Sequence, residues 1–176
     1  IYEDIDWGSG DYVDYEKVYN NRFTVLHEAY KNYRQKLSES RVKLAAGLPE
    51  YKKFDNFNKT NAYWLDDYAL FMALKEVHDG KPWQGWEPEL RNRDKKVLDL
   101  VLLQYMKKIQ FWKIMQYLFF EQWKALRTYA NEHGVKIIGD LPIYVSLDSV
   151  DVWAHPELFQ LDGDKVPREV AGCPPD

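Results

Sequence analysis

The feature that most constrains this chain is a six-residue run, Val135-Lys136-Ile137-Ile138-Gly139-Asp140, short, mostly apolar and β-branched, and bounded by Gly134 and Pro142. Such a run reads as a buried strand, and it follows a long helical stretch, so helix feeding strand points to an α/β unit. A covered strand needs partners for its backbone N–H and C=O groups on both sides. No second run of this kind occurs among the 176 residues. The expectation is therefore that the strand's neighbours lie outside these residues or in another chain, and that the chain, which starts at Ile1 rather than Met, is an internal piece of a longer product.

Upstream of the strand the pattern is helical. Tyr19, Phe23, Leu26, Tyr30, Tyr33 and Leu37 step by fours and threes from Asp14 onward, which predicts an amphipathic helix with a charged outer face. A second helix is expected to start after Thr60 or Asn61 and to stop at Gly80. Pro82–Pro88, with Trp83 and Trp86, reads as a tight aromatic loop, and Pro88 suits the first turn of a short helix. From about Asp94 to His133 the spacing predicts one or two long helices, closed by Gly134. Beyond the strand, Asp148 or Ser149 caps a short helical turn, with Asp148 favoured, and Leu158–Val166 reads as a small hairpin around Asp162-Gly163-Asp164. Residues 1–12 show no periodicity and read as an exposed entry segment.

Composition narrows the function classes. Hydrophobic residues at 45% and charged residues at 30% describe a folded globular chain. The net charge of −4, with no Lys/Arg block, argues against a nucleic-acid partner. No apolar stretch reaches the length of a bilayer span, and the single Cys173 cannot form an intrachain disulfide, so a cytoplasmic setting is expected. Aromatic residues are abundant at 16%, which serves cores first and flat sugar-stacking surfaces second.

The chemistry-bearing residues gather after the strand. In α/β sheets and barrels the functional face lies at the carboxyl ends of strands, and Asp140 sits at that end. Its carboxylate can accept hydrogen bonds from hydroxyls or pair with a cation, and a structural role as a strand-end cap stands equally beside this. Tyr144, Asp148 and Asp151 follow within reach of the same face. Nucleophile elbows, phosphate loops, zinc-binding His pairs and dinucleotide fingerprints are absent, and His27, His78, His133 and His155 are scattered, so no metal or cofactor is expected. Gly172-Cys173-Pro174-Pro175-Asp176 is stiffened by two prolines and reads as a rigid loop edge.

Five ordered segments carry a family resemblance. They are Trp64–Lys75 (WLDDYALFMALK), Gln116–Trp123 (QYLFFEQW), Ile137–Val145 (IIGDLPIYV), Asp148–Phe159 (DSVDVWAHPELF) and Val170–Asp176 (VAGCPPD). Together they resemble the 4-alpha-glucanotransferases, from about Val13 to the last residue. This resemblance implies part of an α-amylase-clan (β/α)8 TIM barrel, with residues 1–93 as a mostly helical insertion subdomain and 94–176 as a barrel segment, the piece itself being largely α-helical. It implies transfer of α-1,4-glucan segments between maltooligosaccharides through a covalent glucosyl-enzyme, with no cofactor. A retaining mechanism of this kind needs two carboxylates about 5–5.5 Å apart. In the family both lie downstream of the Pro-Pro-Asp loop, so no catalytic residue is expected here and the piece is expected to be inactive without the remainder of the enzyme.

The residues that carry over are supporting ones. Asp140 and Tyr144 map beside the sugar site, and Pro175 and Asp176 map to the start of a loop that closes over substrate; Cys173 stands where the family's valine is expected. Val13–Tyr19 resembles a segment whose last tyrosine belongs to a second glucan-binding surface, which makes Tyr19 a candidate stacking residue, although its place on the helix's apolar stripe also fits core packing. Two other readings compete. One is a non-catalytic glucan-binding or interaction module, which predicts maltoheptaose affinity lost on Tyr19→Ala; the other is an α-amylase-type hydrolase, which the loop match disfavours.

Overall fold

The structure is a computed structural model that describes residues 2–43, 49–169 and 172 of the chain. It is mostly helical. Its helices are α1 (Tyr15–Lys43), α2 (Pro49–Val77), α3 (Pro88–Arg91), α4 (Lys95–Gln104), α5 (Met106–Glu132) and α6 (Val150–Ala154), with 3-10 turns at Trp83–Gly85 and Pro156–Leu158. Two compact units divide it, Ile1–Thr60 and Asn61–Asp176, the boundary falling inside α2.

In the first unit, α1 begins where Asp14 accepts a hydrogen bond from the Lys17 backbone N–H at 3.1 Å, the capping interaction a short acidic side chain offers to an orphan helix donor. The preceding segment is ordered by polar contacts that periodicity does not reveal. Lys17 Nζ donates to Asp6 Oδ2 at 2.6 Å, and Asn21 Nδ2 to the Asp6 carbonyl at 3.3 Å. The Lys17 ammonium, and then the Gly8 N–H, hold the Asp6 carboxyl below its ordinary range. Gly8 makes the fold-back possible: its φ is +91°, and an added Cβ would meet Asp14 Cβ at 2.9 Å.

The second unit contains the main core. Leu70, Phe71 and Leu74 from α2 pack with Trp83, Trp86, Leu90, Val101, Ile109, Val152 and Trp153. Three rings form its centre: Phe71 lies 5.4 Å from Trp86 and 5.7 Å from Trp153, and the two indoles meet edge-on at 5.8 Å. Trp153 is fully buried, and its indole N–H donates to the Leu90 carbonyl at 3.0 Å. Arg93 lies over that ring, its guanidinium carbon 4.3 Å from the ring centroid. Asp94 then caps α4 by accepting from the N–H groups of Lys96 and Val97. The sequence-expected helical run from Asp94 to His133 is two helices, parted at Tyr105, and it ends at Gly134 with φ +75°.

Four expectations are corrected. Helix α2 starts at Pro49, not after Thr60 or Asn61. Proline fits a first helical turn, where a missing N–H costs nothing, and Tyr51, Phe54 and Phe57, spaced by three, are the helical signal that the expected start overlooked. The buried strand expected over 135–140 is not formed: these residues have no regular structure and all are exposed, Ile138 at 93%. No second strand is present among the described residues to pair with it, and an unpaired strand leaves its backbone groups to water. The hairpin is reduced to one antiparallel bridge, Leu161 to Pro167, because Leu158 belongs to the 3-10 turn; Asp162 Oδ1 closes the bend by accepting from the N–H groups of Asp164 and Val166. Finally, Ser149 caps α6, its hydroxyl accepting from Val152 N–H, and Asp148 is engaged elsewhere.

An apolar surface is also left open. On the second half of α5, Leu118, Phe119, Phe120, Trp123, Leu126 and Tyr129 are between 39% and 61% exposed. Residues Val135 to Leu147 continue that exposure, with Leu141 at 86% and Ile143 at 88%. No helix among the described residues is long and apolar enough to cross a membrane.

Candidate functional site

The segment from Asp140 to Asp148 holds the candidate residues and has two different ends. Asp140 is exposed and makes no hydrogen bond or ion pair among the described residues. Tyr144 is 66% exposed. Both side chains are therefore free to meet a ligand, and Pro142 between them removes one backbone donor and restricts the bend.

The other end is fixed. Asp148 places one carboxylate oxygen 2.6 Å from Lys75 Nζ and the other 3.3 Å from the Trp83 backbone N–H. Lys75 is the last-turn cation of α2, and its ammonium also donates to the Gly80 carbonyl at 2.6 Å and the Lys81 carbonyl at 3.0 Å. This completes a helix C-terminus with the charge its dipole favours. The Leu147 carbonyl accepts twice, from Trp83 Nε1 at 2.7 Å and from Gln84 Nε2 at 3.0 Å. With side-chain exposures of 17% for Lys75 and 33% for Asp148, the pair is largely out of water. Charge-assisted hydrogen bonds of this kind contribute about 1.5–3 kcal/mol, against about 0–1 for surface pairs. Lys59 and Asp55 form such a surface pair, at 75% and 44% exposure.

Sequence reading singled out Asp140, Tyr144 and Asp148 but missed Lys75 and the Trp83 indole, which anchor Asp148 and the Leu147 carbonyl. A cation in the last turn of a helix that ends in Gly80 was the available signal. Its long-range partner was not visible, because 73 residues separate Lys75 from Asp148. Asp151 lies exposed in the first turn of α6. Pro175 and Asp176, with Cys173, lie outside the described residues.

Tyr19 belongs to the first unit. It is 65% exposed, with the Arg22 guanidinium carbon 5.2 Å from its ring centroid, so its face is not spent on this chain's core. Among the described residues no group of three His, Cys, Asp or Glu side chains could hold a metal ion. What the second unit offers chemically is an exposed carboxylate and an exposed phenol on a segment tied down at one end, suited to hydrogen bonding with a polyhydroxyl ligand.

The family model described as 4-alpha-glucanotransferase matches residues 2–176. The 4-alpha-glucanotransferase of Aquifex aeolicus is 44% identical over 92% of this chain and 30% of its own length, and that of Thermus thermophilus is 43% identical over 93% and 31%. Among solved structures, the amylomaltase from Streptococcus agalactiae in complex with acarbose is similar with a TM-score of 0.84 and 37% identity, covering 99% of this chain and 33% of that one. The chain thus spans about a third of the length of the relatives it matches.

Proposed function

Because the chain belongs to the 4-alpha-glucanotransferase family, we propose that the protein containing it transfers α-1,4-glucan segments between maltooligosaccharides by retaining transglycosylation. The observation that carries this reading is the family match over residues 2–176, together with the 0.84 TM-score to an amylomaltase that holds acarbose. In this reading the chemistry runs through a covalent glucosyl-enzyme. One carboxylate attacks the anomeric carbon and a carboxylic acid protonates the departing glycosidic oxygen, and a sugar hydroxyl then displaces the enzyme with its proton returned to that same group. Both carboxylates are assigned to the remainder of the protein, outside these residues.

Within this chain Asp140 and Tyr144 are assigned to sugar hydroxyls, Pro175 and Asp176 to the start of the loop that closes over substrate, and Tyr19 to a secondary glucan surface. Exposure supports the roles of Asp140, Tyr144 and Tyr19, since none of them is committed to packing. Residues 1–93 are assigned to a helical insertion and 94–176 to a barrel segment. The apolar run 135–140 and the open face of α5 are what a barrel strand and its covering helix would present before their neighbours are added, since parallel sheets are covered on both faces.

The test uses maltotriose. The full-length protein should convert it to glucose and longer oligomers, and the 176-residue polypeptide alone should leave it unchanged. Disproportionation by the polypeptide alone would overturn the assignment of the catalytic carboxylates to other residues; hydrolysis to glucose and maltose without longer products by the full-length protein would overturn transfer.

A further inference from the structure

We propose that Lys75, Asp148 and Trp83 form a positioning joint that holds Tyr144 against substrate, an inference that rests on the glucan-transfer reading above. The polypeptide between Asp140 and Leu147 makes few contacts of its own: residues 141–147 are all exposed. Its placement is therefore decided by where its ends are held. At the downstream end the Leu147 carbonyl is gripped by two side-chain donors and the Asp148 carboxylate by an ammonium and a backbone N–H.

All four donors come from a stretch of ten residues, Lys75 to Gln84. That stretch is itself rigid, because Lys75 ties the end of α2 to the Gly80 and Lys81 carbonyls, and the Trp83 side chain is fully buried in the core. The joint thus ties the downstream end of this segment to the aromatic core. Reach decides which candidate it governs. Tyr144 is three residues from Leu147, so its backbone lies within about 11 Å of the anchor, whereas Asp140, seven residues away, has a leash of about 25 Å. Tyr144 is the residue that the joint can place.

None of the three joint residues need touch the sugar; their effect passes through Tyr144, so the consequence should appear in substrate affinity before it appears in turnover. The experiment measures kcat and KM for maltotriose, with melting temperatures, in full-length protein carrying Lys75→Met, Lys75→Arg, Asp148→Ala, Trp83→Phe or Tyr144→Phe. Lys75→Met, Asp148→Ala and Trp83→Phe should each raise KM about fivefold to tenfold with kcat within about twofold, since a displaced positioning group weakens binding without altering the reacting groups. Lys75→Met combined with Asp148→Ala should be no worse than the more affected single variant, because the two share one interaction, and Lys75→Arg should recover most of the loss. In a Tyr144→Phe background the joint variants should add little.

A fall in melting temperature with KM unmoved would overturn the joint as a positioning device and leave it a brace for the fold. Trp83→Phe removes one hydrogen-bond donor while keeping an aromatic ring, so it tests the same point without emptying the core. Failure of the wild-type protein to disproportionate maltotriose would instead overturn the functional reading, and the joint's role with it. An active wild type with indifferent variants sinks the joint alone.

Discussion

At the scale of single residues, the polar contacts with the largest consequences are made by side chains whose partners are distant in sequence or whose backbone is unusual. Asp148 looked like a helix cap because aspartate commonly is one; the serine beside it took that role, and Asp148 was drawn to an ammonium 73 residues away. Nothing local predicts that exchange. Gly8 illustrates the second kind. Its φ of +91° and the 2.9 Å approach to Asp14 Cβ leave no room for a side chain, so Gly8→Ala should strain the backbone and push the entry segment off α1. A destabilisation of about 1–2 kcal/mol is expected, above the usual Gly-to-Ala benefit of about 0.4–1 kcal/mol that applies where φ is compatible. Urea titration of the polypeptide, followed by circular dichroism, measures it; an unchanged or stabilised protein would contradict the account.

At the scale of elements, helices were legible where their stripes were apolar and their ends punctuated. The tyrosine and leucine stripe of α1, the stop at Gly80 and the close at Gly134 all appear near where periodicity and terminator chemistry put them. The start of α2 was harder to see, because charges and amides separate Tyr51, Phe54 and Phe57 in its first turns, and among described residues 52–60 only Phe54 is buried. Caps remain testable. Asp94 supplies α4 with two charge-assisted hydrogen bonds, at 3.0 and 3.1 Å. Asp94→Ala should therefore cost about 1 kcal/mol, and Asp94→Ser much less. Comparing the two variants' melting temperatures separates the cap from the charge: equal losses would assign the effect to the carboxylate's charge alone.

At the scale of the whole molecule, the open apolar surface matters most. Leu118 to Tyr129 on α5 and Val135 to Leu147 beyond it expose large side chains over two consecutive segments, and such surfaces seek cover. The 176-residue polypeptide should consequently self-associate at micromolar concentration, and Phe119→Glu with Ile138→Lys should shift it toward monomer without lowering its melting temperature. Sedimentation velocity across a concentration series reads this, and a strictly monomeric wild-type polypeptide would refute it. By itself the sequence determined the helical character, the aromatic turn around Trp83 and the intrinsic strand tendency of 135–140, because these follow from side-chain spacing and backbone preference over a few residues. Tertiary structure alone decided that Trp83, Trp86 and Trp153 share one core and that Asp148 closes on Lys75, while the run 135–140 is unpaired among the described residues. Those outcomes depend on which groups meet across long stretches of chain, and a strand exists only when another backbone is there to accept and donate its hydrogen bonds.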